Sequence, residues 1–390
     1  MAKVEKRSVL LLALIFVAWG FGYVDRQAIN IAAVSIREEL ALTTGEMGIV
    51  MSSFFCMYSV MTLGGSFLAN RFGTRRSLLG IVFLWAVFSG MTGAAGSFLL
   101  LVSVRFLLGL SQGGFAPITS VAVTELFPPE QQGRAKAFQV SAGSAGVAFG
   151  ALFCATSTAL FGWRMMFLFF GVIGLVITIL LYQFYHVQER VEEKKPQAGV
   201  KELLRSALVW KLAFIQFGLG AFIWGLNAWL PSYWLEVKGL AMVEMGALSM
   251  LPWVVSFFCM NFSAYLLERY FAGKECLTLG VSLFLTCVCM YVMLGADSIA
   301  AGFAWLTLGT VLASISSAIV YMIPMKYMER NRVGSATGII IFGQQLAGVC
   351  VPIIMGYLIS MFAGSYDAVF IFVIGIMLLG AVTSLSIRVR

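Results

Sequence analysis

Charge is scarce in this chain of 390 residues: Asp, Glu, Lys and Arg together supply only 11% of it, while 60% is hydrophobic. Soluble domains carry about a quarter charged residues, so an ordinary water-facing globular surface is excluded. Histidine is scarcer still, His186 being the single example. Where it stands, at the end of an apolar segment, an interfacial side chain is the simpler reading than a proton relay. With no second histidine, HExxH and similar zinc chemistry is excluded, and no Ser/His/Asp or paired-aspartate arrangement appears. The chain is therefore expected to be no enzyme and to need no cofactor and no metal. The seven cysteines do not change this. Cys56, Cys154, Cys259, Cys287, Cys289 and Cys350 lie within apolar stretches and Cys276 at the start of one, which marks them as packing residues rather than disulfide partners or ligands. A cleavable leader is also not expected, because the first apolar stretch is too long for one and lacks a small-residue cleavage site.

What the chain has in abundance is long apolar runs. About 20 such residues span a bilayer, and segments of that kind fall at 8–34, 46–68, 76–97, 98–126, 135–160, 163–186, 209–234, 243–267, 276–295, 300–325, 334–361 and 366–387. This predicts an all-α integral membrane protein of twelve transmembrane helices, with both termini on one side. Lysine and arginine identify the side, since short cytoplasmic loops collect them. Only Arg37, Arg164 and Lys238 fall in or beside odd-numbered loops and only Arg26 and Arg105 deep within segments; the other basic residues lie in the even loops, at the segment ends beside them and at the termini. Both termini are thus expected in the cytoplasm, in the cell's inner (plasma) membrane. The net charge of +8 follows from this topology and faces anionic lipid; no nucleic-acid partner is implied.

The one sizeable connection divides the chain into residues 1–186, a cytoplasmic loop 187–207 and residues 208–390. Two stretches suggest a duplication. Gly65-Ser-Phe-Leu-Ala-Asn70-Arg71-Phe-Gly73-Thr-Arg75-Arg76 follows the second segment, and Ala264-Tyr-Leu-Leu-Glu268-Arg269-Tyr-Phe-Ala-Gly273-Lys274 follows the eighth. Each sets a polar or acidic residue, an arginine, a glycine and a base between two helices.

With these motifs the chain resembles the major facilitator superfamily of transporters, which implies two pseudo-symmetric six-helix bundles. In that family the loop after helix 2 latches one access state, which points to Asn70, Arg71, Gly73, Arg75 and Arg76, with Glu268 and Arg269 in the weaker copy. Asn70 stands where the family usually has Asp, so the latch here lacks that charge. Tyr23-Val-Asp25-Arg26 with Asn30, Arg105-Phe-Leu-Leu-Gly109 followed by Gly113-Gly114 and Pro117, and Gly162-Trp163-Arg164 further resemble the anion:cation symporter group, whose members carry hexuronates, galactonate, phthalate and sialic acid. The resemblance implies a small organic anion as substrate, a mono- or dicarboxylate or sugar acid, imported with protons rather than Na+ by a monomer.

An acid and a base side by side in the first segment are costly in hydrocarbon and normally face a bundle interior. At about 100° per residue, Tyr23, Arg26, Gln27 and Asn30 share a stripe from which Asp25 points away, so Asp25 needs a partner on another helix. Arg105, Gly109 and Gln112 share one face of the fourth segment, which makes that helix the expected partner. Members of the group generally carry Glu where Gln112 stands, and with the helix 1 Asp it is held to bind the coupling protons. Gln cannot titrate, so either coupling rests on Asp25 or the protein is a uniporter or exchanger. A permanent salt bridge between Asp25 and Arg105 is the competing reading. Counting these groups, the interior holds two arginines and one aspartate, and an anion completes the balance. Arg26 suits a carboxylate through its planar fork. Around it the expected substrate contacts are Tyr23, Asn30, Tyr58, Ser144, Asn227, Ser316 and Gln345. Ile341 and Gln345 stand where asparagine is usual, which points to a ligand less hydroxylated than a sugar acid. Gly143, Gly146, Gly150, Gly334 and Gly338 are expected at close helix contacts.

Two other functions compete. A proton-driven exporter of drugs or metabolites would carry a glycine-proline motif in its fifth helix, and 135–160 contains no proline. A non-transporting sensor would need a soluble tail or long loop for its partner, and the longest loop here is about 20 residues.

Overall fold

The apolar runs fold as helices throughout the described part of the chain. The computed structural model describes residues 6–185, 200–270 and 273–387. His186 and most of the 187–207 connection lie outside the described residues.

Elements follow in the order α1 (Lys6–Ile31), α2 (Ala33–Leu40), α3 (Thr44–Phe72), α4 (Thr74–Ala94), α5 (Phe98–Gly113), α6 (Phe115–Leu126) and α7 (Pro129–Phe184). After α8 (Val200–Leu203) come α9 (Ala207–Gly220), a π-helical turn (Ala221–Leu226), α10 (Asn227–Glu236), α11 (Met242–Tyr270), α12 (Glu275–Leu294), α13 (Ile299–Tyr327), α14 (Arg330–Met361) and α15 (Asp367–Leu385). No strand occurs among the described residues. Nine helical stretches among them are long and apolar enough to cross a membrane, with α5–α6 and α9–α10 each counted as one. The stretch that holds α7 is broken at Gly162 (φ 78°, ψ 160°), between residues 129–161 and 163–184. A side chain resists that φ, and glycine turns the chain there in a single residue.

Local chemistry sets the helix ends. Thr43 accepts from the Glu46 backbone N–H (3.2 Å) and Glu46 accepts from the Thr43 N–H (2.8 Å), a reciprocal cap that starts α3. Ser97 and Ser298 cap α5 and α13 in the same sense. The turn before α4 uses Gly73 at φ 83°, and the turn before α12 uses Gly273 at φ 82°. In α10, Pro231 withholds the N–H that would bond the carbonyl of Asn227, next to the π-helical turn.

Contacts group the chain into two units, Met1–Glu193 with Leu240–Met250, and Lys194–Gly239 with Leu251–Arg390. In the first unit α1 lies against the first half of α7 with almost no side chain between them. A Cβ on Gly146 would collide with the Gly20 carbonyl, and one on Gly143 would sit 2.7 Å from the Tyr23 ring. On the other side of the unit α3 and α5 touch in the same way, since a Cβ on Gly109 would strike the Phe54 carbonyl and one on Gly113 would lie 2.5 Å from that of Tyr58. In the second unit α9 packs on α14, where Gly343 meets the Ala213 carbonyl and Gly220 that of Gln344. Among the described residues, the expected close contacts at Gly334 and Gly338 are not formed. A Cβ at either would meet nothing within 4 Å, so the α14 contact lies about two turns further along the helix.

Candidate functional site

Asp25 is completely buried in the first unit, and one of its oxygens collects all of its hydrogen bonds. Oδ2 accepts from Trp85 Nε1 (2.6 Å) and Ser89 Oγ (2.6 Å) of α4 and from Gln112 Nε2 (2.9 Å) of α5. Hydrogen bonds to a charged group contribute about 1.5–3 kcal/mol each, so three of them stabilise a buried carboxylate substantially. Oδ1 is buried without a partner. The expected partner helix is α5, as predicted, but α4 contributes two of the three donors.

Gln112 turns its other end to Arg26, whose Nε donates to Oε1 at 3.1 Å. The amide thus bridges the acid and the base, which are neighbours in sequence but diverge around α1. The Arg26 guanidinium carbon lies 4.7 Å from the centre of the Tyr23 ring and 4.4 Å from that of Tyr58, with Phe54 at 5.6 Å and Trp19 at 6.0 Å. These rings hold the cation by their faces and orient the planar fork. Nε is engaged sideways with Gln112, and Tyr23 also hydrogen-bonds the guanidinium.

Arg105, also buried, lies 5.1 Å from the Phe54 ring centre. Its Nε and Nη1 have no hydrogen-bond partner, and no ion pair with Asp25 is formed. The permanent Asp25–Arg105 salt bridge considered from the sequence is therefore absent. With Asp25 ionised, Asp25, Arg26 and Arg105 sum to one positive charge.

The remaining expected residues fall in several places. Asn30 is half-buried near the end of α1. The side chains of Ser144, Asn70, Glu268 and Arg269 lie outside the described set. Asn227 and Ser316 belong to the second unit, and both turn onto their own helix. Asn227 Nδ2 donates to the Ile223 carbonyl (2.5 Å), and Ser316 Oγ to that of Leu312 (3.0 Å) with the residue fully buried. The Ser316 hydroxyl donates to backbone here and keeps its acceptor lone pairs. Gln345 is half-buried on α14, and its neighbour Gln344 joins a network not foreseen from sequence. There Tyr321 Oη donates to Gln344 Oε1 (3.3 Å), and Gln216 Nε2 donates to Ser317 Oγ and Tyr321 Oη (3.2 Å each).

At the α3–α4 turn, Arg71 lies over the rings of Phe67 and Phe72, Arg76 is exposed, and Arg75 Nη2 donates to the Tyr182 carbonyl (3.0 Å). An acid does serve this turn, but it comes from another helix: Thr74 Oγ1 donates to Glu125 (2.6 Å), which also accepts from Tyr185 (3.3 Å). At the opposite end of the unit, Trp163 and Arg164 enclose Glu39. Trp163 Nε1 donates to Oε2 (2.6 Å), Arg164 Nε donates to Oε1 (2.7 Å), and Arg164 Nη1 holds the carbonyls of Gly93 and Ala95. The Arg164 hydrogen bond keeps the Glu39 carboxyl below the usual carboxylate range.

Comparison with known proteins agrees with this architecture. Residues 10–352 match the model of the Major Facilitator Superfamily. A "Probable sulfoacetate transporter" of Cupriavidus necator is 28% identical, covering 98% of this chain and 94% of the relative. The hexuronate transporter of Bacillus subtilis is 25% identical (94% and 91% covered), and the D-galactonate transporter of Escherichia coli 24% (98% and 96%). Among solved structures, a bacterial homolog of the human lysosomal transporter Spinster, inward-facing and occupied, aligns at a TM-score of 0.88 over 98% of this chain and 97% of its own, with 14% identity. A D-xylose-proton symporter aligns at 0.75 over 97% and 96%, with 16% identity. These relatives are membrane carriers, not enzymes, and the curated ones named here handle organic anions as the sequence resemblance implies. The chain is a multi-pass membrane protein and belongs to the Major Facilitator Superfamily.

Proposed function

We propose that the protein imports a small organic anion, a mono- or dicarboxylate or a sulfonate of similar size, together with a proton by alternating access. In this reading the two six-helix bundles span 1–186 and 208–390, the termini are cytoplasmic, and the protein acts as a monomer in the inner membrane. The observation that carries the reading is the linked trio Asp25–Gln112–Arg26. An arginine fork backed by aromatic rings meets a titratable carboxyl through one amide. Protonating Asp25 raises the positive excess in the first unit, which strengthens the pull on an anion; anion and proton then reinforce each other, as symport requires. The names of the relatives support an acid group as the shared handle, since sulfoacetate, hexuronate and galactonate differ in everything else. Ile341, where a polar residue is usual, favours the less hydroxylated among them.

The test is Arg26→Lys in purified protein, assayed by thermal shift against a panel that includes sulfoacetate, galactonate and hexuronates, because a ligand that binds must stabilise the fold. Losing one of two charge-assisted bonds should weaken binding about tenfold or more, with the unliganded melting temperature little changed. Equal stabilisation of both proteins by the same anion would place the binding site elsewhere.

A further inference from the structure

Trp85 and Ser89 belong to none of the recognised motifs, yet they give Asp25 two of its three hydrogen bonds, both at 2.6 Å and both to Oδ2. Ser89 is fully buried and Trp85 nearly so. A serine within a helix ordinarily bonds the carbonyl four residues back, as Ser59, Thr92 and Thr178 do here. Ser89 instead crosses to another helix. Three donors saturate Oδ2 and leave Oδ1 as the oxygen on which a proton can settle.

We propose that Ser89 and Trp85 are positioning residues for proton loading: they fix Oδ2 as acceptor, direct the proton to Oδ1, and set the pH at which Asp25 takes it up. The proposal rests on the reading of Asp25 as the proton carrier. The charged or titratable groups near Asp25 are Arg26 on its own helix, Arg105 on α5 and Cys154 on α7, whose thiol bonds the Val24 carbonyl (3.6 Å). The α4 neighbours here are neutral donors. They favour the ionised form, because a donor bonds a carboxylate more strongly than the carbonyl oxygen of the neutral acid and so opposes protonation.

Ser89→Ala removes one such donor with little change in volume. The titration of Asp25 can be followed directly by infrared difference spectroscopy, through the protonated-carboxyl band that Asp25→Asn eliminates, alongside the pH profile of uptake in proteoliposomes. The expected result is a midpoint about one pH unit more alkaline in both measurements for Ser89→Ala, a shift in the same direction for Trp85→Phe, and a return toward the parent for Ser89→Thr. A purely structural serine would lower the melting temperature and leave both midpoints in place. Midpoints that coincide in parent, Ser89→Ala and Trp85→Phe would overturn the proposal. A parent band that does not titrate would remove it together with proton coupling through Asp25. A band that shifts while the uptake profile stays fixed would uphold the role of Ser89 and sink the coupling reading alone.

Discussion

A glutamine held between an aspartate and an arginine has its orientation chosen for it. The Gln112 carbonyl must face Arg26 Nε–H and its NH2 must face Asp25 Oδ2, since the flipped amide would set donor against donor and acceptor against acceptor. Gln112→Glu would keep the bond to Arg26 but place a second carboxylate where the 2.9 Å contact to Asp25 now lies. Two carboxylates that close cannot both ionise, so one proton would be held at neutral pH. The variant is expected to bind anion more weakly than the parent at alkaline pH, to regain affinity as pH falls, and to move more protons per substrate. Affinity measured across pH, with proton and substrate fluxes counted in proteoliposomes, checks this; superimposable pH profiles would show that α5 does not communicate with the anion.

Among the elements, α7 depends most on its surroundings, because its turn at Gly162 has no loop to absorb strain. Trp163 and Arg164, directly after the turn, hold Glu39, so the junction is tied to the segment after α1 and to the end of α4. Glu39 ionises below its ordinary value in the folded protein. Its contribution is therefore present above the unfolded value of about 4.3 and fades as pH falls through the lower folded one. Glu39→Gln is expected to melt a few degrees below the parent at neutral pH, and the gap should close under about pH 4. A gap that persists unchanged in acid would mean that the carboxylate charge is not what holds the junction.

The helices were legible because hydropathy alone marks a span, and the pairing of Asp25 with α5 was legible because Arg105, Gly109 and Gln112 recur on one face. Trp85 and Ser89 were not, since nothing in a single sequence separates a tryptophan that packs from one that donates, or a serine that caps its own turn from one that reaches across. Glu125 escaped for a related reason: the acid expected inside the α3–α4 motif arrives from α6. Ser316 shows the other habit, since a hydroxyl on a helix satisfies itself on backbone unless a better acceptor is near. Asn227 does the same through its amide.

For the molecule as a whole, the two units keep a common spacing but differ in chemistry. Gly20 and Gly220, Gly73 and Gly273, and Gly143 and Gly343 stand 200 residues apart and serve matching contacts or turns. At the same spacing Asp25 is matched by Gly225, Arg26 by Leu226, Arg105 by Trp305 and Gln112 by Leu312. The internal charges of the candidate site thus lie in the first copy alone. Among the described residues of that unit, Asp25 is the one fully buried carboxylate, while buried Glu275 of the second unit is held by Lys326 and Tyr327. An amide at position 112 consequently has an electrical meaning. With one group able to take a proton, a monoanion travels as a neutral pair, and its uptake should follow the pH difference without regard to membrane potential. A dianion with the same single proton carries one negative charge inward, against about 2.3 kcal/mol for every 100 mV of inside-negative potential. Proteoliposomes clamped with potassium and valinomycin at fixed pH difference separate the two cases. Voltage-driven uptake of a monoanion would show that a second cation crosses with it.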